Sequence, residues 1–150
     1  MPSSTSLRLA VCSSASFYER VILLSYELEK LDIGVVLPKT AAMMKSEGAK
    51  NEELADWLGH LGGTARKAQL IRGHFDEISN SDAILVANYE KHGVENYIGP
   101  NVLMEMAAAF HLKKPIYVLN DIPEGSPLID EILGLEPVFL KGDISILGNH

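Results

Sequence analysis

The chain has 150 residues, 47% hydrophobic and 22% charged, which is typical of one globular domain with a full core. Its formal net charge of −7, with no cluster of basic residues, argues against a nucleic-acid partner. The single cysteine, Cys12, excludes an intramolecular disulfide, and no apolar run approaches the ~18 residues of a membrane span. We therefore expect a cytoplasmic protein that does not enter a membrane.

Strand and helix patterns alternate along the sequence. In chain order, the predicted elements are a disordered tail (1–6), a strand (7–12), a serine-rich turn (13–16), a helix (17–31), a strand (33–37), an irregular stretch (39–63), a helix (64–80), a strand (83–87), a polar loop (88–97), a helix that ends near His111, a strand (115–119), a short helix (126–133) and a strand (137–140). This order predicts an α/β fold with a five-stranded parallel, doubly wound sheet, a flavodoxin- or Rossmann-like three-layer sandwich. We expect a single domain over 1–150, and its tail lacks the features of a signal peptide.

The stretch 39–63 is the least regular part of the sequence. Within it, residues 51–61 form an amphipathic pattern with four apolar side chains on one side. An insertion between a strand and the next main helix predicts either a lid over a ligand site or an ordinary covering helix. The sequence leaves both interpretations open.

Glu105 is the most unusual residue of the chain, because it lies alone in the apolar run 102–110. Such a run is typical of a helix that is buried on all sides, where an unpaired carboxylate is costly. One interpretation is a small solvent window flanked by the alanines at i+3 and i+4. The other is a functional carboxylate.

The carboxyl ends of parallel strands meet at one edge of a sheet, and ligands bind there in folds of this kind. The segments expected at this edge follow the first, third and fourth strands: 13–16, 88–99 and 120–124. Glu105 is near the same edge, because its helix begins after either Gly99, with Pro100 in the first position, or Asn101. The free N–H groups of that helix start, with the serine hydroxyls, could hold a phosphate or sugar hydroxyls.

Other reactive side chains have weaker support. Cys12 ends a strand, so we expect a core residue, with a nucleophile as the alternative. His74 is interpreted from residue type as a surface histidine, and Asp82 as structural. The remaining histidines do not have the spacing of metal ligands: His60, His92, His111 and His150. The sequence also has no Cys/His cluster, so we expect no bound metal. The three-glycine dinucleotide fingerprint is also absent after the first strand, so we expect no such cofactor.

Three segments together resemble the nucleoside 2-deoxyribosyltransferase family and its nucleotide N-glycosidase relatives: 81–86, Gly99–Ala109 and 114–117. The resemblance covers most of the chain in outline and is specific over about 74–119. In that family a glutamate attacks the anomeric carbon of a nucleoside or nucleotide, and it matches Glu105. The resemblance also implies a homo-oligomer, because a neighbouring subunit often completes the family's site.

The sequence departs from the family at positions where the family's residues recognise the substrate. His74 stands at a family aspartate that binds or protonates the base, and a histidine could donate a proton there. Gly99 stands at a second aspartate. The resemblance therefore implies Glu105 and His74 as catalytic residues, and a substrate-binding set of Ser13, Ser14, Asn88, Gly99 and Asn101. The alternative function is a nucleotide-binding module without turnover.

Overall fold

The computed structural model describes residues 6–48 and 63–148. We number its strands and α-helices in chain order. They are β1 (Arg8–Cys12), α1 (Tyr18–Lys30), β2 (Gly34–Val36), α2 (Lys39–Glu47), α3 (Gly63–Ser79), β3 (Ala83–Val86), α4 (Pro100–His111), β4 (Ile116–Val118), α5 (Ile129–Gly134) and β5 (Val138–Phe139), with short 3₁₀ helices at Ala15–Phe17 and Ile144–Gly148.

The five strands form one parallel sheet with the order β2-β1-β3-β4-β5. The predicted five-stranded parallel, doubly wound sheet is therefore confirmed, and its strand order is that of flavodoxin-like folds. The chain direction across the sheet reverses between β1 and β3. In such sheets this switch point opens the crevice in which ligands bind.

The two faces of the sheet carry separate cores, because successive side chains of a strand point to opposite faces. Leu9 and Val11 of β1 pack with α1, whereas Ala10 and Cys12 pack in the other layer. That second layer also contains Ile78 of α3 and three side chains of α4, namely Val102, Met106 and Ala109. β1, α3 and α4 therefore meet on one face, close to the end of β1.

Two local features differ from the sequence-based expectations. Helix α2 lies within the stretch predicted to be irregular; it buries only Ala41 and Met44, so its apolar pattern is too short to recognise. The helix predicted at 126–133 begins instead at Ile129, because Ser126 Oγ accepts a hydrogen bond from the backbone N–H of Leu128 and forms a turn first. The possible lid at 51–61 and the tail, except for Ser6, lie outside the described residues.

Helix α4 is not buried on all sides, contrary to the expectation from its apolar sequence. Met104 and Phe110 of this helix are 42% and 46% exposed. The inner side carries Val102, Met106 and Ala109, and Glu105 lies beside them with its side chain 16% exposed. Among the described helices, none has the length and hydropathy needed to cross a bilayer.

Candidate functional site

A cavity of about 890 Å³ lies at the carboxyl edge of the sheet. It is lined by the segments that follow β1 and β3, by the inner face of α3 and by the first turns of α4. Six of the residues predicted for the site line this cavity: Ser13, Ser14, His74, Gly99, Asn101 and Glu105. The topological rule for parallel sheets, applied to the sequence, places these residues at the same edge of the sheet as this cavity.

His74 lies between two carboxylates. Its Nε2 atom is 2.9 Å from Glu105 Oε2, and its Nδ1 atom is 3.0 Å from Glu77 Oε2. The histidine is buried rather than on the surface, as its residue type suggested, because residue 74 is one helical turn before the buried Ile78 on α3. The carboxylate of Glu105 is therefore paired, which offsets the cost of placing it among apolar residues.

Cys12 also belongs to this cluster. Its Sγ atom is 3.5 Å from His74 Nε2, although 62 residues separate them in sequence, and the side chain is fully buried. The expectation that Cys12 belongs to the core agrees with its burial. The expectation of no Cys/His cluster is wrong, because it considered spacing along the chain and this contact arises from the packing of α3 on β1.

The electrostatics of the cluster favour a charged histidine. Burial opposes a positive charge on His74, but its hydrogen bonds, with Cys12 and with the two carboxylates, raise the pKa of the imidazole to about 12. Burial, and after it the negative charge of Glu105, raise the pKa of the Cys12 thiol to about 11. Near pH 7 the His74 imidazolium therefore contacts two carboxylates and the neutral thiol of Cys12.

Tyr18 and Lys91 are two further residues of the site; the sequence predicts the segment of Lys91 at this edge but singles out neither side chain. Tyr18 begins α1 and lines the cavity; burial, and then the charge of Glu105, raise the pKa of its phenol to about 12. Lys91 Nζ donates a hydrogen bond of 2.9 Å to Ser14 Oγ and so links the loops after β1 and β3. Tyr18 could have been inferred from its position, because it lies in the first turn of the helix that follows β1.

Asn88 does not line the cavity, although it was predicted to bind substrate. It is fully buried, and its Nδ2 donates hydrogen bonds to the carbonyls of Asn96 and Asp121. Its Oδ1 accepts a hydrogen bond of 2.9 Å from the backbone N–H of Asn120. Asn88 therefore joins the loops after β3 and β4 and supports the wall of the site.

The start of α4 brings its backbone to the cavity. Gly99 is the N-cap and Pro100 takes the first helical position, so the alternative cap at Asn101 is not used. A Cβ atom at position 99 would lie 2.7 Å from the hydroxyl oxygen of Tyr97, another residue of the cavity wall. A larger residue at position 99 would therefore displace the ring of Tyr97.

The charged residues around the cavity are mainly basic, in contrast to the net charge of the chain. Besides His74, four cationic side chains of the described residues line it: Lys39, Arg66, Lys67 and Lys91. The described acidic side chains in the lining are Glu77 and Glu105, and both are paired with His74. The cavity therefore offers an anion a favourable local environment.

Comparison with known proteins gives one kind of match. No family model and no curated protein sequence matches the chain. A solved structure of a 2-deoxyribosyltransferase from the psychrotolerant bacterium Bacillus psychrosaccharolyticus, a biocatalyst for nucleoside synthesis, matches with a TM-score of 0.60 and 13% sequence identity over 95% of this chain and 91% of that chain. An identity this low carries the fold and not the activity. The chain therefore has a nucleoside 2-deoxyribosyltransferase-like fold.

Proposed function

We propose that this protein cleaves or transfers the N-glycosidic bond of a nucleoside or nucleotide, with Glu105 as the nucleophile. The observation that carries this proposal is the position of the Glu105 carboxylate, which lines a cavity at the switch point of the sheet and is held there by His74. The fold is shared with an enzyme that acts on nucleosides. The cavity volume lies within the usual range for sites that bind small molecules.

The reaction proceeds in two steps. A Glu105 carboxylate oxygen attacks the anomeric carbon while the bond from that carbon to the base nitrogen breaks, through an oxocarbenium-like transition state. The electron pair of the broken bond leaves with the base, which takes up a proton from solvent. Water, or a second base, then attacks the glycosyl ester, loses a proton to solvent and regenerates the carboxylate.

His74 acts in this scheme as a positioning residue rather than as the acid or base-binding group that the resemblance implies. Both of its ring nitrogens face protein partners, Glu105 and Glu77, so neither is directed at a leaving base. Because the pKa of His74 is raised to about 12, the imidazolium is also a weak acid and a poor proton donor near pH 7. The imidazolium instead fixes the orientation of the Glu105 carboxylate through their 2.9 Å contact.

The basic side chains of the lining favour a phosphorylated substrate. Lys91 and Ser14 are hydrogen-bonded to each other beside the start of α4, where free backbone N–H groups also favour an anion. Lys39 of α2 and two residues of α3, Arg66 and Lys67, also line the cavity. A nucleoside monophosphate would bring a negative charge to these cationic side chains, which an uncharged nucleoside would not.

The proposal is tested by incubating the protein with ribo- and deoxyribonucleosides and their 5′-monophosphates and measuring free base by chromatography. We expect release from at least one member, with monophosphates favoured, and a loss of about 10³-fold or more in Glu105→Gln, because an amide is not a nucleophile. Glu131→Gln, a matched change on an exposed residue of α5, should leave turnover unchanged. No release from any compound, or equal release by Glu105→Gln, contradicts the proposal.

A second candidate is a nucleotide-binding module without turnover. The observation in its favour is the ion pair that restrains Glu105, together with the replacement of both family aspartates by His74 and Gly99. This candidate predicts that a nucleotide raises the melting temperature, by mass action, without releasing base. A thermal-shift screen on the same compounds distinguishes it from the enzyme.

A further inference from the structure

Cys12 has no part in the proposed reaction, yet it contacts His74, which lines the cavity. Its sulfur is fully buried and is 3.5 Å from His74 Nε2, which is itself 2.9 Å from Glu105 Oε2. The three candidate ligand atoms all lie within 4.8 Å of one another. They come from β1, α3 and α4, so the packing of the fold, and not a flexible loop, sets their positions.

We propose that Cys12, His74 and Glu105 form a binding site for a divalent transition metal of the zinc class. A tetrahedral zinc ion with bonds of about 2.0–2.3 Å separates its ligand atoms by about 3.3–3.6 Å. The distances from His74 Nε2 to the sulfur and to the carboxylate oxygen are 3.5 Å and 2.9 Å, and the sulfur lies within 4.8 Å of that oxygen, so side-chain shifts of about 1 Å bring the three atoms to these separations. A thiolate, an imidazole and a carboxylate together are a donor set that suits zinc.

The surroundings of His74 are those expected for a metal ligand. Glu77 Oε2 is 3.0 Å from Nδ1, so it accepts the Nδ1–H hydrogen bond and leaves Nε2 directed at the cluster. Histidine ligands of zinc commonly donate their other N–H to a carboxylate in this way, which fixes the tautomer and the ring orientation. Glu105 lines the cavity, so a fourth ligand, water or substrate, can bind from that side.

Metal binding exchanges two protons for one ion. The thiol of Cys12 and the Nε2–H group of His74 each release a proton, whereas Nδ1–H remains on the histidine and Glu105 is already a carboxylate. The ion supplies the positive charge that a buried thiolate requires. No oxidant or reductant takes part in this exchange.

The binding proposal is independent of the proposed function, because it requires only the three side chains. One consequence does rest on that function: a carboxylate bound to zinc is not free to attack an anomeric carbon. The zinc-loaded protein should therefore be inactive and recover when a chelator removes the ion. The metal acts in this case as an inhibitor that competes with the imidazolium for Glu105.

The test uses the full chain and Co²⁺, which takes the same ligands as Zn²⁺. Because Cys12 is the only cysteine in the sequence, a thiolate-to-cobalt charge-transfer band can come from no other residue. We expect this band in the wild type at one Co²⁺ per chain, with displacement by Zn²⁺. Absence of the band at saturating Co²⁺ overturns the proposal.

Variants define the ligand set. Cys12→Ser should abolish the band, and Glu105→Gln and His74→Gln should each weaken zinc affinity by at least tenfold. Glu77→Gln should weaken it by roughly 10–100-fold, whereas the exposed neighbour Asp76→Asn should not. His111→Gln controls for binding at a surface histidine, and an equal loss there contradicts the site. Base release by the metal-free wild type is measured separately, so either proposal can fail alone.

Discussion

At the residue scale, the site consists of a short series of contacts that begins at Glu77. This residue has one third of its side chain exposed and accepts a hydrogen bond from His74, which in turn holds Glu105. Each link is local in space, but only the pair Glu77 and His74 is local in sequence. The i,i+3 spacing of these two residues on α3 was visible in the sequence, whereas the contact of His74 with Glu105 was not.

Glu77 can be tested without removing a charge from the reacting group. In Glu77→Gln an amide oxygen still accepts the Nδ1–H hydrogen bond, but the histidine loses one of its two counterions. We expect kcat for base release to fall about tenfold, with KM little changed, because the effect acts through the orientation of Glu105. Asp76→Asn alters the same charge on the exposed side of the same helix and should preserve kcat. A rise in KM alone would instead assign Glu77 to substrate binding.

At the scale of elements, α4 shows which parts of a helix its sequence can define. The Gly99–Pro100 pair marked the start of the helix, because proline favours the first position and needs no N–H partner there. The orientation of the helix was not predictable, since the run 102–110 is apolar on every side except at Glu105. Packing on β3 and α3 decides that Met106 faces inward and Met104 outward.

These two methionines provide a matched test of that orientation. Met106 is fully buried, so Met106→Ala should lower the free energy of unfolding by about 2–5 kcal/mol, through lost apolar contacts and a residual cavity. Met104→Ala, at a position 42% exposed, should change it by less than about 0.5 kcal/mol. Denaturation in urea measures both changes, and equal losses would mean that α4 is rotated.

The five strands illustrate the opposite case. Each predicted strand is observed and is shorter by one residue at one or both ends. A run of apolar residues between polar loops suffices here, because strands of a parallel sheet are buried on both faces. Helix α2 was missed because two buried side chains give no readable period, and contact with α1 orders it instead.

At the scale of the whole molecule, the loops at the carboxyl edge depend on Asn88. Asn88→Ala leaves two carbonyls and one N–H group without their partner, so we expect a loss of more than about 2 kcal/mol in unfolding free energy. Turnover should fall as well, because the loops that form the cavity are no longer joined. Asn80→Ala, at an exposed position, is the control and should be silent. An unchanged free energy of unfolding in Asn88→Ala would show that the loops keep their conformation without the hydrogen bonds of Asn88.

The assembly of the molecule is also testable. We expect a homo-oligomer, and the outer side of α4 with the residue after it exposes apolar side chains that could lie in an interface: Met104, Phe110 and Leu112. Sedimentation should give a mass above that of one chain, and Phe110→Asp should lower it by placing a charge in the interface. Leu133→Asp, equally exposed on α5, should leave the mass unchanged. A monomeric wild type contradicts the expectation.

The sequence alone determined the order of the elements, the parallel sheet and the edge at which a ligand site should lie. These features follow from periodicity, helix caps and the rule for switch points, all of which act over short stretches of chain. Only the tertiary structure decided that Cys12, His74 and Glu105 share one cluster and that Asn88 supports the wall. Cys12 and His74 are 62 positions apart, and their contact depends on how α3 and α4 pack on β1. A local sequence pattern does not predict that packing.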